Sequence, residues 1–135
     1  MHWLKLFGIV AACTVVSSFT DWLFMGVLFH KKYLETPELF RGTPGESETP
    51  RILASTVIGF FSCGVFIVLC RWAEAITPRS EIHLAGLVWI AVIVPIILNN
   101  VLWTKLHPLL GVSHSLGWLA RFVLTGLIGG WLLAK

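Results

Sequence analysis

The chain is short of charge. Of its 135 residues only 13% are Asp, Glu, Lys or Arg, against 56% hydrophobic, whereas a soluble domain carries about 25% charged residues. Mean hydropathy is +0.83. That deficit excludes an ordinary soluble domain and fits an integral membrane protein. Cysteine is also scarce. Cys13, Cys63 and Cys70 are odd in number and all fall inside apolar runs, which excludes a disulfide framework. No basic cluster is interleaved with aromatics, so the net charge of +3 implies no nucleic acid and bears instead on orientation and lipid contact. The chain has no Gly-rich phosphate loop, no haem signature and no nucleophile–base pair. Ser17 and Ser18 stand near Asp21 without a helical histidine beside them, so an enzymatic reading is disfavoured.

What is present is four apolar runs, at about 4–29, 52–72, 84–106 and 116–133. About 20 apolar residues cross a hydrocarbon core of about 30 Å as a helix. The four runs use up most of the chain and predict one all-α, integral membrane four-helix bundle over residues 1–135. Thr49-Pro50 and Thr77-Pro78 read as helix starts, Pro108 and Gly111 as a break, and Ser113 or Ser115 as the cap of helix 4. The long loop between helices 1 and 2 carries Thr36-Pro37-Glu38, the start of a short helix that Leu34, Leu39 and Phe40 would lay on the membrane surface. Gly42 to Ser47 reads as an exposed turn. Val10-Ala11-Ala12-Cys13 is similar to a lipoprotein cleavage box, but the apolar run continues past it, as the first half of a helix does. Positive charge leans only slightly toward cytoplasmic loops 1 and 3, with both termini outside.

Asp21 lies within the first run. A carboxylate at membrane depth costs roughly 2.5–3.5 kcal/mol on insertion scales, so it needs a partner, a proton or water. Depth arithmetic at about 1.5 Å per residue puts Asp21 about 7 Å from mid-membrane toward loop 1. On the same arithmetic Asn99 and Asn100 lie about 6–8 Å, and Arg121 about 5 Å, toward loop 3. Loops 1 and 3 share one side, so these four residues are expected in one layer. Thr14, Ser17, Ser18 and Asp21 share a face of helix 1. His114, Trp118, Arg121 and Thr125 form a stripe on helix 4. Pro95 is expected to kink helix 3 and free a carbonyl near Ala91.

Two readings follow. The layer lines a polar pocket for a small solute, an ion or a lipid headgroup, with Asp21, Arg121, Asn99, Asn100 and Ser17 as its polar groups and Trp22, Trp103 and Trp118 as aromatic walls. Alternatively, Asp21 and Arg121 form a structural pair that fixes helix register in an accessory subunit. His30, His107 and His114 match no metal-binding spacing, so no metal and no cofactor are expected. Trp3, Trp72 and Trp131 read as belt anchors. Gly126-x-x-x-Gly130 permits close helix approach, within the monomer or between copies.

The Trp22-Leu23-Phe24 segment, the Lys31-Lys32 pair, the Pro95-Ile96-Ile97-Leu98-Asn99-Asn100 segment and the Gly-rich end with Trp131 together give a resemblance. The chain resembles a widespread family of small bacterial four-helix membrane proteins of uncharacterised function. The resemblance implies the fold and a bacterial inner-membrane address, and no activity. A bundle this small makes only a modest pocket, so a homo-oligomer in contact with membrane lipid is expected.

Overall fold

A computed structural model describes residues 3–39 and 45–134. The expected surface contact of Phe40 and the first half of the expected turn, 42–44, lie outside the described residues, as does part of the charge count, at Arg41 and Lys135; the rest of the turn is described, with Gly45 at a φ of 90°. Among the described residues there is no β-strand.

Helix α1 (Trp3–Trp22) continues through a widened π turn, Leu23–Leu28, to complete the first span. A short helix α2 (His30–Glu35) and a 3-10 turn at Pro37–Leu39 follow. Thr36-Pro37-Glu38 does open a short helix, a single 3-10 turn in which the Leu39 N–H reaches the Thr36 carbonyl at 3.1 Å, and α2 before it is a further short helix. The second span is α3 (Thr49–Trp72). The third is α4 (Pro78–Val88), a second π turn (Trp89–Ile93) and α5 (Val94–Trp103). The fourth is α6 (Pro108–Leu133). All four spans are long and apolar enough to cross a membrane. Short connections make spans 2, 3 and 4 run antiparallel in succession, and spans 2 and 3 both pack on the fourth.

Local chemistry sets the ends. Thr77 caps α4: its Oγ1 accepts the Ser80 N–H at 3.2 Å, and Ser80 Oγ accepts the Thr77 N–H at 3.0 Å. This reciprocal box satisfies two donors that a helix start otherwise leaves bare. Helix α6 begins at Pro108, with His107 as its cap. His107 Nδ1 accepts the Leu109 N–H at 3.2 Å. Ser113 and Ser115, expected as caps, lie inside the helix. Proline is tolerated at a first helical position, and Gly111 marks a close approach instead. A Cβ there would stand 3.0 Å from Ile97 and 3.1 Å from Val101 on α5.

Helix α6 sits at the centre, packed against α1, α3 and α4–α5. One apolar cluster joins Ile9, Val10 and Cys13 to Cys63 and Ile67. A second joins Phe66 and Cys70 to Ala85 and Phe122, with the Phe66 and Phe122 rings 4.9 Å apart. The third span meets the bundle chiefly through α6. Trp89 anchors it there, its Nε1–H lying 2.9 Å from both the Ser115 carbonyl and the Ser115 hydroxyl. Trp3, Trp72 and Trp131 are all exposed at one end of the bundle.

Candidate functional site

Asp21 stands in the last turn of α1, just before the chain widens into its π turn. Arg121 lies near the middle of α6. Its Nη2–H donates to Asp21 Oδ2, an ion pair within the spanning region. The two charges are not equally sheltered. The Arg121 side chain is 9% exposed and that of Asp21 34%. A buried guanidinium without a counter-charge would be strongly unfavourable, and the carboxylate supplies it.

Three side groups shape the pair. The guanidinium carbon lies 4.7 Å from the Trp118 ring centroid, on its negative face. Gly59 on α3 leaves the slot for the guanidinium, since a Cβ there would be 3.2 Å from Nη1. Gly117 does the same for the carboxylate, with a Cβ 3.4 Å from Asp21 Oδ1. The Arg121 Nε–H is buried and has no hydrogen-bond partner among the described residues. This is an uncommon defect in a folded interior, where buried donors are nearly always paired.

On the loop side of the pair, α2 folds back onto α6. The Tyr33 hydroxyl donates to Ser113 Oγ at 3.2 Å and lies 3.3 Å from His114 Nε2. Burial pushes the Tyr33 phenol above its ordinary range, opposed by the Ser113 hydrogen bond and reinforced by the negative charge of Asp21. His114 is within electrostatic reach of Asp21. One turn deeper, Ser17 Oγ is 3.8 Å from Cys63 Sγ, and the Thr125 hydroxyl donates to the same sulfur at 3.3 Å. Ser17 is therefore buried below the pair, and the Thr14 hydroxyl turns back to its own helix at the Val10 carbonyl.

The expected layer is only partly assembled. Asp21, Arg121 and Trp118 meet. Asn99, Asn100 and Trp103 do not join them; all three are exposed on the outer side of α5. The physical reason is the π turn before Pro95, in which the Val94 N–H reaches back five residues to the Trp89 carbonyl. One extra residue in a turn re-aims everything beyond it by about 100° relative to an unbroken α-helix. The same widening precedes Pro95 where a kink was expected. Trp22 also faces outward, its ring 5.5 Å from Phe19. His107 is a helix cap and His30 is exposed, so the three histidines are not gathered. Among the described residues no three His, Cys, Asp or Glu side chains form a metal-binding group.

Sequence reasoning missed Tyr33 and Gly117 as members of the site. The spacing Ser113, Gly117, Arg121 was the available signal, small residues at steps of four on the face of the arginine. It also missed Glu81. Glu81 is buried against α6, its carboxyl lodged where Gly126 and Gly130 leave room. A cavity of about 10 Å³ lined by Cys70, Arg71, Glu81 and Thr125 adjoins it. The Gly126-x-x-x-Gly130 pattern thus receives a side chain of the same molecule. A larger apolar groove, about 570 Å³, opens outward between α1 and α3 along Phe7, Val10, Phe60 and Gly64.

Four membrane-capable helices, three of which enclose a charge pair, define a small multi-pass membrane protein. The chain belongs to the family described as protein of unknown function DUF1761, whose model matches residues 9–130. That segment contains Asp21, Arg121 and both glycine slots. No curated protein and no solved structure matches the chain.

Proposed function

We propose that this protein binds or carries a small polar solute, an ion or a lipid headgroup at the Asp21–Arg121 pair, in a bacterial inner membrane. The observation that carries the reading is the asymmetry of the pair. Arg121 is buried with an unused Nε–H, while Asp21 is one-third open beneath Tyr33 and His114. A ligand entering from the loop side meets the carboxylate first and finds a guanidinium with spare donor capacity behind it. Ionisable groups at membrane depth are costly and mark solute or ion paths. Asn99, Asn100 and Trp103 have no part in this smaller site. Ser17 supports it from below, and Trp118 forms its one aromatic wall.

A second reading, a locked register pair in an accessory subunit, is favoured by the close fit of the pair against Gly59 and Gly117. Native mass spectrometry of the protein released from membranes separates the two. The comparison is between wild type and Asp21→Leu/Arg121→Met, which removes both charges and leaves none stranded. A molecule or ion retained by wild type and absent from the folded double variant supports the binding site. A wild-type protein that carries nothing supports the lock.

A further inference from the structure

Asn99 and Asn100 present a different problem. Both are exposed, and neither side chain makes a hydrogen bond among the described residues. The third span runs Pro78–Trp103. Its midpoint falls between Ile90 and Ala91, so the two amides lie about 13–14 Å from it, nearer the loop 3 surface than the expected 6–8 Å because the helix starts at Pro78 and not at Leu84. That is inside the half-thickness of about 15 Å of a hydrocarbon core. Lipid tails offer no partner to an amide, and an unpaired amide there is expensive. Around them the face is apolar and equally bare: Ile96, Leu98, Leu102 and Trp103 are all exposed. The third span is also the least covered, with 11% of its apolar window buried against 33% for the fourth.

We infer that the Asn99–Asn100 face of α5 is a contact between two copies of this chain inserted in the same orientation. Two properties select that occupant. A carboxamide both donates and accepts, so an identical amide satisfies it without any charge mismatch. The span carries no Asp, Glu, Lys or Arg between Glu81 and Lys105, so nothing on it calls for a charged partner. Depth is the second property. The amides sit far from the span midpoint, and a two-fold axis along the membrane normal brings each to its own copy at equal depth. An antiparallel pairing would set them about 26–28 Å apart along the normal, at opposite sides of the core. This contact is independent of the Asp21–Arg121 site, which lies on the other side of α6.

The test is cysteine cross-linking in native membranes, paired with a measurement of mass in detergent. Asn100→Cys is oxidised in the otherwise wild-type chain, whose Cys13, Cys63 and Cys70 are buried. Leu53→Cys, on the exposed face of α3, is the control. The expected result is a covalent dimer at Asn100→Cys and background at Leu53→Cys. In detergent, wild type is expected to run as a dimer, and Asn99→Leu/Asn100→Leu to raise its dissociation constant at least about tenfold, or ~1.4 kcal/mol. Both asparagines face outward, so leucine there leaves the fold intact. The cross-link does not depend on that variant in any case. A monomeric wild type, a dimer unmoved by the leucines, a cross-link only between opposite ends of the span, or a different protein held at this face would each overturn the inference.

Discussion

Asp21 and Arg121 meet inside the bundle, with Arg121 at the middle of its span, whereas Asn99 and Asn100 stand outside it, near the end of theirs. The first pair is enclosed by α1, α3 and α6, with a glycine opposite each charge and an indole under the guanidinium. Neither side chain of the second pair makes a hydrogen bond among the described residues. The difference shows that depth is set by residue count along a helix, while facing is set by turn geometry. Counting is only as good as the helix start it counts from: with the third span beginning at Pro78, the two amides lie about 13–14 Å from its midpoint rather than the expected 6–8 Å. Facing is lost even where the start is known, once a π turn intervenes.

The largest effect is expected where this enclosure is broken on one side only. Asp21→Leu strands the buried guanidinium of Arg121 and should lower unfolding stability by about 3–5 kcal/mol, the cost of removing one partner of a buried pair. Denaturation by SDS titration in mixed micelles measures it. Next comes Gly130→Ala. The new methyl would displace the Glu81 carboxyl, whose carbon lies 2.7 Å from the ideal Cβ position; as that carboxyl is the far end of a flexible side chain, the cost should sit at the low end of overpacking, about 1 kcal/mol. Glu81→Ala in the same chain should recover most of it. Gly8→Ala, with nothing near its Cβ, is the neutral comparison in the same assay.

A smaller effect is expected at the mouth of the site. Tyr33 is the single tyrosine of the chain, so phenolate absorbance reports it alone. Its midpoint should lie above the usual value of about 10. The folded state holds this proton more tightly than the unfolded chain, so the contribution is complete below pH ~10 and is lost as pH rises through the folded midpoint. Ser113→Ala removes a hydrogen bond that opposes the shift and should move the midpoint further up. The smallest effect is expected on the outer face. Asn99→Leu and Asn100→Leu should each leave the unfolding of the monomer within about 0.5 kcal/mol, in contrast to their effect on association.

The spans themselves were legible, because an apolar run long enough to cross a bilayer has few other uses. Their ends were less so. The third span begins at Pro78, six residues before its apolar run; the Thr77-Pro78 start was legible from its cap and proline, while the glycine slot that holds Glu81 was not. The fourth begins at Pro108 rather than near Leu116, because Ser113, His114 and Ser115 are polar residues that face inward, to Tyr33 and Trp89. The meeting of Asp21 and Arg121 was legible from topology and depth alone. The outward turn of Asn99 and Asn100 was not, since no residue in Trp89–Ile93 announces a π turn.

A double-mutant cycle on Asp21→Leu and Arg121→Met, read as unfolding free energy in one detergent, tests most directly whether the two charges act as one unit. The expected result is two damaging single variants and a double variant far less damaged than their sum, with a coupling of at least about 2 kcal/mol. Additivity within about 0.5 kcal/mol would mean that the carboxylate and the guanidinium are satisfied separately, and would remove the pair from the centre of this fold and of its proposed site.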